Sequence, residues 1–340
     1  TSQVSANNDY GFSIVKYTMG GSDITVGHGL STEPKWLITR RFDNTDSWIV
    51  YHASLGKDKY LFLNGTQAAF TDTADAFTST SSSVFDARQG LINAGDCIAY
   101  CWSEVSGFSK FGSYTGNGST TGPTITTGFK PKFILIKRTD SSGDNWFIHD
   151  TERNPSNPVN ARLMPSSSQE EYTNIDVLNI TSDGFQIITT DTSWNASSGT
   201  YIFAAFADRP GNNWDVNNIV TNEGLTTSKT QFDVVTYTGD GGSSRSIDSL
   251  AFQPDLVWIK ARSASYSNHL YDSVRGVTKR LRSDQTAAES TKSGVTSFDS
   301  DGFTLGSDLN SNENNTTYVA WCWKAGGTAV SNTDGSITSS

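Results

Sequence analysis

The sequence is poor in sulfur, proline, histidine and positive charge. Of 340 residues, 3 are cysteine, 2 methionine, 8 proline and 4 histidine. Three cysteines cannot all pair with one another. Cys97 and Cys101 fall on one predicted strand, where a four-residue spacing separates them by about 13 Å, beyond the roughly 7 Å a disulfide tolerates. Cys322 could pair only across a larger distance along the chain, and the three thiols read as buried small side chains. The histidines are scattered with no HxxxH spacing, so no metal site is expected. Lys plus Arg number 25 against 35 Asp plus Glu, a formal charge of −10. That balance argues against nucleic acid or an anionic membrane surface as partner. No apolar run approaches the roughly 18 residues of a membrane helix, so no membrane insertion is expected. No GxSxG, Walker A or GxGxxG follows a predicted strand, and no cofactor is expected. The start, TSQVSANNDYGF, carries neither a basic n-region nor an apolar h-region and reads as an excised boundary.

Aromatics are plentiful: 9 Trp, 12 Tyr and 18 Phe, set in a Ser/Thr/Asn/Gly-rich background that favours strands and turns. The sequence also repeats. FSIVKYTMGGSDITVGHGLSTEPKWLITRR from Phe12, FGSYTGNGSTTGPTITTGFKPKFILIKR from Phe111 and FDVVTYTGDGGSSRSIDSLAFQPDLVWIKAR from Phe232 share one plan. Each has an aromatic strand ending in Tyr-Thr, a Gly-rich turn, a proline (Pro34, Pro131, Pro254) and an apolar strand ending on Arg40, Lys137 or Lys260. The second halves match too, closing on CIAYCW, YIFAAF and YVAWCW. Cys101, Ala205 and Cys322 then occupy one position, and a site that accepts alanine needs a small side chain, not sulfur chemistry.

Alternation of period two and turn signals about every ten residues predict an all-β fold. The expected architecture is three tandem β-sandwich (jelly-roll-like) modules of about 95 residues each, over residues 1–106, 107–209 and 232–325. Residues 210–231 read as a linker, and 326–340 as a linker or tail to a further module. Three such modules make an elongated rod or a compact trefoil. TAAEST near Thr286 and SSSQEEY at Ser166 are the only helical candidates. TGNGSTTG reads as a hairpin loop, and the Asp-Gly pairs at 183–184 and 301–302 as hairpin turns; a calcium loop would need ligand oxygens at a different spacing.

One recurrent position carries recognition chemistry. After the basic-ended strand come Trp48, Trp146 or Asn268, and four residues later His52, Asp150 or Asp272. Sugar C–H faces stack on aromatic rings while hydroxyls need directional partners, so these six residues are the candidate ligand-binding set; the other reading places them in the sandwich core. No acid pair recurs in all three copies, so no catalytic residue is assigned.

YTGNGS…GFKPKFILIKRTDSSGDNWFIHD, SGVTSFDSDGFTLG and TYVAWCWKAGG resemble the tandem modules of large structural proteins of marine tailed bacteriophages, including cyanophages. The first copy departs from them, having SSSVFDA without Asp-Gly. The resemblance implies a virion protein of tail-fibre or surface-appendage type, at the surface of an extracellular particle. Its expected partners are other virion subunits and a host cell-surface glycan, and a homo-oligomer, such as a trimer, is expected. On that reading the chain is a non-enzymatic appendage presenting glycan-binding surfaces. The alternatives are a purely architectural spacer or capsid-decorating protein, and an envelope polysaccharide depolymerase.

Overall fold

A computed structural model describes residues 2–72, 76–77, 80–207 and 231–336. The fold is all-β, built from antiparallel sheets. Three large sheets share a four-strand arrangement. An opening strand (Phe12–Met19, Ser109–Thr115, Phe232–Thr238) pairs with a closing strand (Gly95–Trp102, Thr200–Ala207, Thr317–Trp323). The closing strand pairs on its other side with the basic-ended strand (Trp36–Arg41, Pro131–Arg138, Leu256–Ala261), which pairs in turn with a flanking strand (Ile49–His52, Trp146–Asp150, His269–Asp272). Each large sheet faces a small one: Ile24–Gly27 with Val84–Ala87, Thr124–Thr126 with Gly184–Ile187 and Leu178–Thr181, and Arg245–Ile247 with Gly302–Leu305 and Val295–Asp299.

The closing strand lies inside its sheet and is covered on both faces, hence its near-continuous apolar sequence. One face packs within the sheet pair: Cys101, Ala205 and Cys322 lie opposite Leu37, Ile134 and Val257 in the register, and the three thiols are buried and free. The other face turns to the centre of the molecule. Trp102, Phe206 and Trp323 meet there with ring centroids 6.4, 5.7 and 5.9 Å apart, one ring from each large sheet. Trp36 stacks on Trp102 at 4.2 Å and Phe232 lies 4.9 Å from Trp323, so a single aromatic core joins all three sheets. A rod of sheets set end to end would not bring these rings together.

The Asp-Gly pairs are tight hairpin turns, pairing Thr181 with Gly184 and Asp299 with Gly302. Glycine is required at 184 and 302 because a Cβ there would run into the carbonyl oxygens of Ile125 and Ile247 on the adjacent strand. TGNGSTTG is not a hairpin: it crosses from the large sheet to the small one, because its neighbours Ser109–Thr115 and Thr124–Thr126 pair in different sheets. Neither expected helix forms. Residues 166–171 and 285–289 run as turn and irregular chain, with backbone groups bonded to a neighbouring sheet pair. Among the described residues the α-helices are Thr192–Asn195 and Leu309–Asn312, capped by Asp191 and Asp308, and Ala53–Leu55 forms a 3₁₀ turn.

The tail folds back onto the first sheet. Val330–Asn332 pairs with Ser2–Asn7, and Gly335 bridges Val26. Most of the expected linker, residues 210–230, lies outside the described residues.

Candidate functional site

All six candidate ligand-binding residues are buried: Trp48, Asp150, Asn268 and Asp272 at 0% exposure, His52 and Trp146 at 1%. A ring that stacks on a sugar must reach solvent, so the expectation of a glycan surface at these positions is corrected. Each of the six instead bonds to another sheet, in an order that runs once around the molecule.

Trp48 Nε1 donates to the Arg282 carbonyl of the third flank at 2.7 Å. Trp146 Nε1 donates to the Phe62 carbonyl of the first at 2.9 Å, and Asn268 Nδ2 to the Met164 carbonyl of the second at 2.9 Å. The acceptors occupy matching places: Arg282 and Phe62 pair with His269 and Ile49, and Met164 follows Leu163, which bridges Ile148. An indole or amide N–H buried without an acceptor would be costly, and the next sheet supplies the oxygen each time.

The second position of the set closes the circle in the opposite sense. His52 Nε2 lies 3.0 Å from the Phe203 carbonyl, Asp150 Oδ2 accepts from Trp321 Nε1 at 3.0 Å, and Asp272 Oδ2 accepts from the Tyr100 hydroxyl at 2.8 Å. Tyr100 and Trp321 sit two residues before the end of the first sheet's closing strand and the third's; the matching residue of the second is Ala204. Alanine has no donor, so the residue facing it is a histidine that uses backbone rather than an aspartate. Burial holds His52 down at about 4, partly offset by the Phe203 carbonyl.

Loops complete the contact. Ala69 N donates to Thr139 O, Glu171 N to Arg262 O and Glu289 N to Phe42 O, at 2.9, 2.8 and 2.8 Å. The supposed helices are thus the straps between sheets. Arg40, at the end of its strand, sends its guanidinium to the Gln285, Thr286 and Ala287 carbonyls, and Lys260 donates to Ser168 O at 3.2 Å. Burial lowers Arg40 to about 10 and Lys137 and Lys260 to about 8.

Sequence reasoning missed two further groups. Arg153 and Arg275 are buried beside Asp150 and Asp272, each Nε–Oδ2 pair at 2.6 Å, and each Nη1 reaches a glutamate of the crossing strap, Glu171 or Glu289, at 2.8 Å. An Asp-x-x-Arg spacing in HDTER and YDSVR, absent from HASLG, was the available signal. Asn195 and Asn312 are buried clamps: each Nδ2 holds the crossing loop and the approach to the short helix, at Ser119 O and Thr189 O or at Gly242 O and Gly306 O. Both stand six residues before a buried tyrosine, Tyr201 or Tyr318.

His149 is fixed as a neutral imidazole. Its Nδ1 lies 3.1 Å from the Ala161 carbonyl, and its Nε2 accepts from Trp194 Nε1 at 3.2 Å. Burial and then the Arg153 charge push it down to about 3. Among the described residues no group of three His, Cys, Asp or Glu could hold a metal ion, and no helix is long and apolar enough to cross a membrane. A concave polar surface among the described residues is a cleft of about 270 Å³ beside His269, Arg280 and Arg282.

The chain belongs to the family described as Domain of unknown function (DUF7483), whose family model matches residues 1–210 and 227–340. A comparison with curated proteins finds no match.

Proposed function

We propose that this chain is a rigid, non-catalytic structural unit on the outside of an extracellular particle, the tailed-phage virion that its resemblance implies. It acts there as three modules of one design closed around a shared aromatic centre. One observation supports this reading above others: the polar and aromatic residues best suited to recognition satisfy the next sheet in cyclic order. Side chains used this way make a stiff node, suited to bearing load between virion subunits. The threefold packing that a fibre obtains from separate chains is reached here within one chain, and further copies would add to it edge by edge. The large apolar side chains left exposed among the described residues are Val277, Leu309 and Val330, scattered singly, so contacts with other subunits would be polar.

Antibody raised against the folded chain should decorate intact purified particles, seen by immunogold microscopy. Labelling confined to lysates, with particles bare, would sink the structural reading. Release of reducing ends from host envelope polysaccharide by the purified chain would replace it with the depolymerase reading. Presentation of a glycan-binding surface is a second reading, favoured by the polar cleft on the third sheet pair.

A further inference from the structure

The third sheet pair departs from the first on its outer strands. The paired positions that carry Ile49 and Phe62 in the first sheet carry His269 and Arg282 in the third. Two residues earlier on the same strand, and therefore on the same face, Arg280 stands where the first sheet has Tyr60. With Gln285, Asn310 and Ser168 of the neighbouring strap, these side chains line a cleft of about 270 Å³ with no aliphatic side chain in its wall.

Arg280 is 5% exposed. Its Nη1 meets Asp308 Oδ2 at 3.1 Å, while its Nε is buried and has no partner among the described residues. A buried guanidinium N–H without an acceptor carries the desolvation cost of a charged donor, a cost that an oxygen ligand reaching this side of the planar fork would relieve. Charges of both signs surround it. Burial, then Arg280, Arg282 and Lys260, hold His269 neutral. Asp284 and Asp308 oppose those three cations, and Glu313 at the rim is engaged by the Tyr266 and Thr316 hydroxyls. Glu170 and Glu171 also lie near Lys260, so the acids at least match the cations in number, and what the cleft offers is the unpartnered Arg280 Nε beside the partly exposed Arg282 guanidinium rather than a net positive charge.

We propose that this cleft binds the carboxylate of a hydroxyl-rich ligand, the uronate residue of an acidic polysaccharide. The carboxylate would accept from the partly exposed Arg282 guanidinium, and a turn of the Arg280 side chain would bring its unpartnered Nε to the second oxygen. The Gln285 and Asn310 amides and the serine hydroxyls of the wall supply both donors and acceptors, which ring hydroxyls need. Tyr266 is the one large ring in the wall, so a peptide anchored by an aliphatic side chain would find little to pack on. The site needs only the folded chain, so it stands or falls apart from the virion assignment, which particle labelling tests.

The test is calorimetric titration of the full chain with an oligoglucuronate, a neutral glucose oligomer of equal length and a sulfated one. Saturable oligoglucuronate binding that weakens with salt is expected, with affinity falling at least about tenfold in Arg282→Gln, as loss of a charge-assisted hydrogen bond implies. Arg282 is partly exposed, so that variant should keep the wild-type circular dichroism; Arg280→Gln, which also releases Asp308, is the second variant. No saturable binding of oligoglucuronate, equal or tighter binding of the neutral or sulfated oligomer, or unchanged affinity in Arg282→Gln would each overturn the proposal.

Discussion

At the scale of single residues, the buried charges matter more than the exposed ones. Arg275 has both its carboxylate partners inside the molecule; burial alone would lower its pKa, but Asp272, Tyr100 and Glu289 raise it. Asp272→Asn would leave that guanidinium short of charge in a closed site and should destabilise by about 3–5 kcal/mol, as breaking a buried pair does. Tyr100→Phe removes one hydrogen bond from the same carboxylate and should cost about 1 kcal/mol. Urea unfolding of the two variants checks the order; equal losses would mean that Asp272 serves Tyr100 rather than Arg275. The histidines make a second case. His52 at about 4 and His149 at about 3 lie below the ordinary value, so the unfolded chain binds their protons first. Their contribution to stability is complete above about pH 6.5 and is lost as pH falls toward the folded values. The urea midpoint should drop between about pH 6.5 and 5, above the usual carboxylate range. A flat midpoint there would mean that the imidazoles are not held neutral in the folded state.

At the scale of elements, local chemistry and long-range contact are separable. Strand alternation and the Asp-Gly hairpins follow from a few adjacent residues and were legible; the short helices capped by Asp191 and Asp308 were not foreseen, although their caps are equally local. The straps at 166–171 and 285–289 were not legible: their Ala, Glu and Gln content favours helix, yet backbone bonds to a neighbouring sheet pair hold them as irregular chain. TGNGSTTG has the composition of a hairpin, and only the destination of the following strand shows it to be a crossover. The glycine of the Asp301–Gly302 pair is constrained by another strand as well as by its own turn. In Gly302→Ala the new Cβ meets the Ile247 carbonyl; the hairpin must shift, at about 1–3 kcal/mol by analogy with overpacking. Gly276 separates the two effects: a Cβ there would have no neighbour within 4 Å, but its φ is +98, so alanine brings backbone strain without a clash. Thermal unfolding that left Gly302→Ala unchanged would show that the hairpin can move away freely.

At the scale of the whole molecule, the three large sheets share one core, so they should not melt independently. Calorimetry of the full chain should give a single transition whose calorimetric and van't Hoff enthalpies agree. Trp323→Ala, which empties one corner of the central triangle of rings, should lower the stability of all three sheets together by about 3–5 kcal/mol. Separate transitions, with the variant shifting only one of them, would show that the aromatic centre does not couple the sheets.

The sequence by itself determined the strands, their turns, the three matching segments and the identity of Cys101, Ala205 and Cys322 as one small-residue position. These depend on side-chain parity along a strand and on turn chemistry, both written within ten residues or so. It also placed Trp48, His52, Trp146, Asp150, Asn268 and Asp272 in matching slots. Whether those slots face solvent or protein was for the tertiary structure to decide, because an aromatic ring beside a polar group suits a sugar and suits a neighbouring carbonyl equally well. Only the closing of the sheets on one another, through Trp102, Phe206 and Trp323, turned the six residues inward. The same closure left Arg280 and Arg282 at the edge of a cleft, where no local pattern marks two arginines as a pair that could share a ligand.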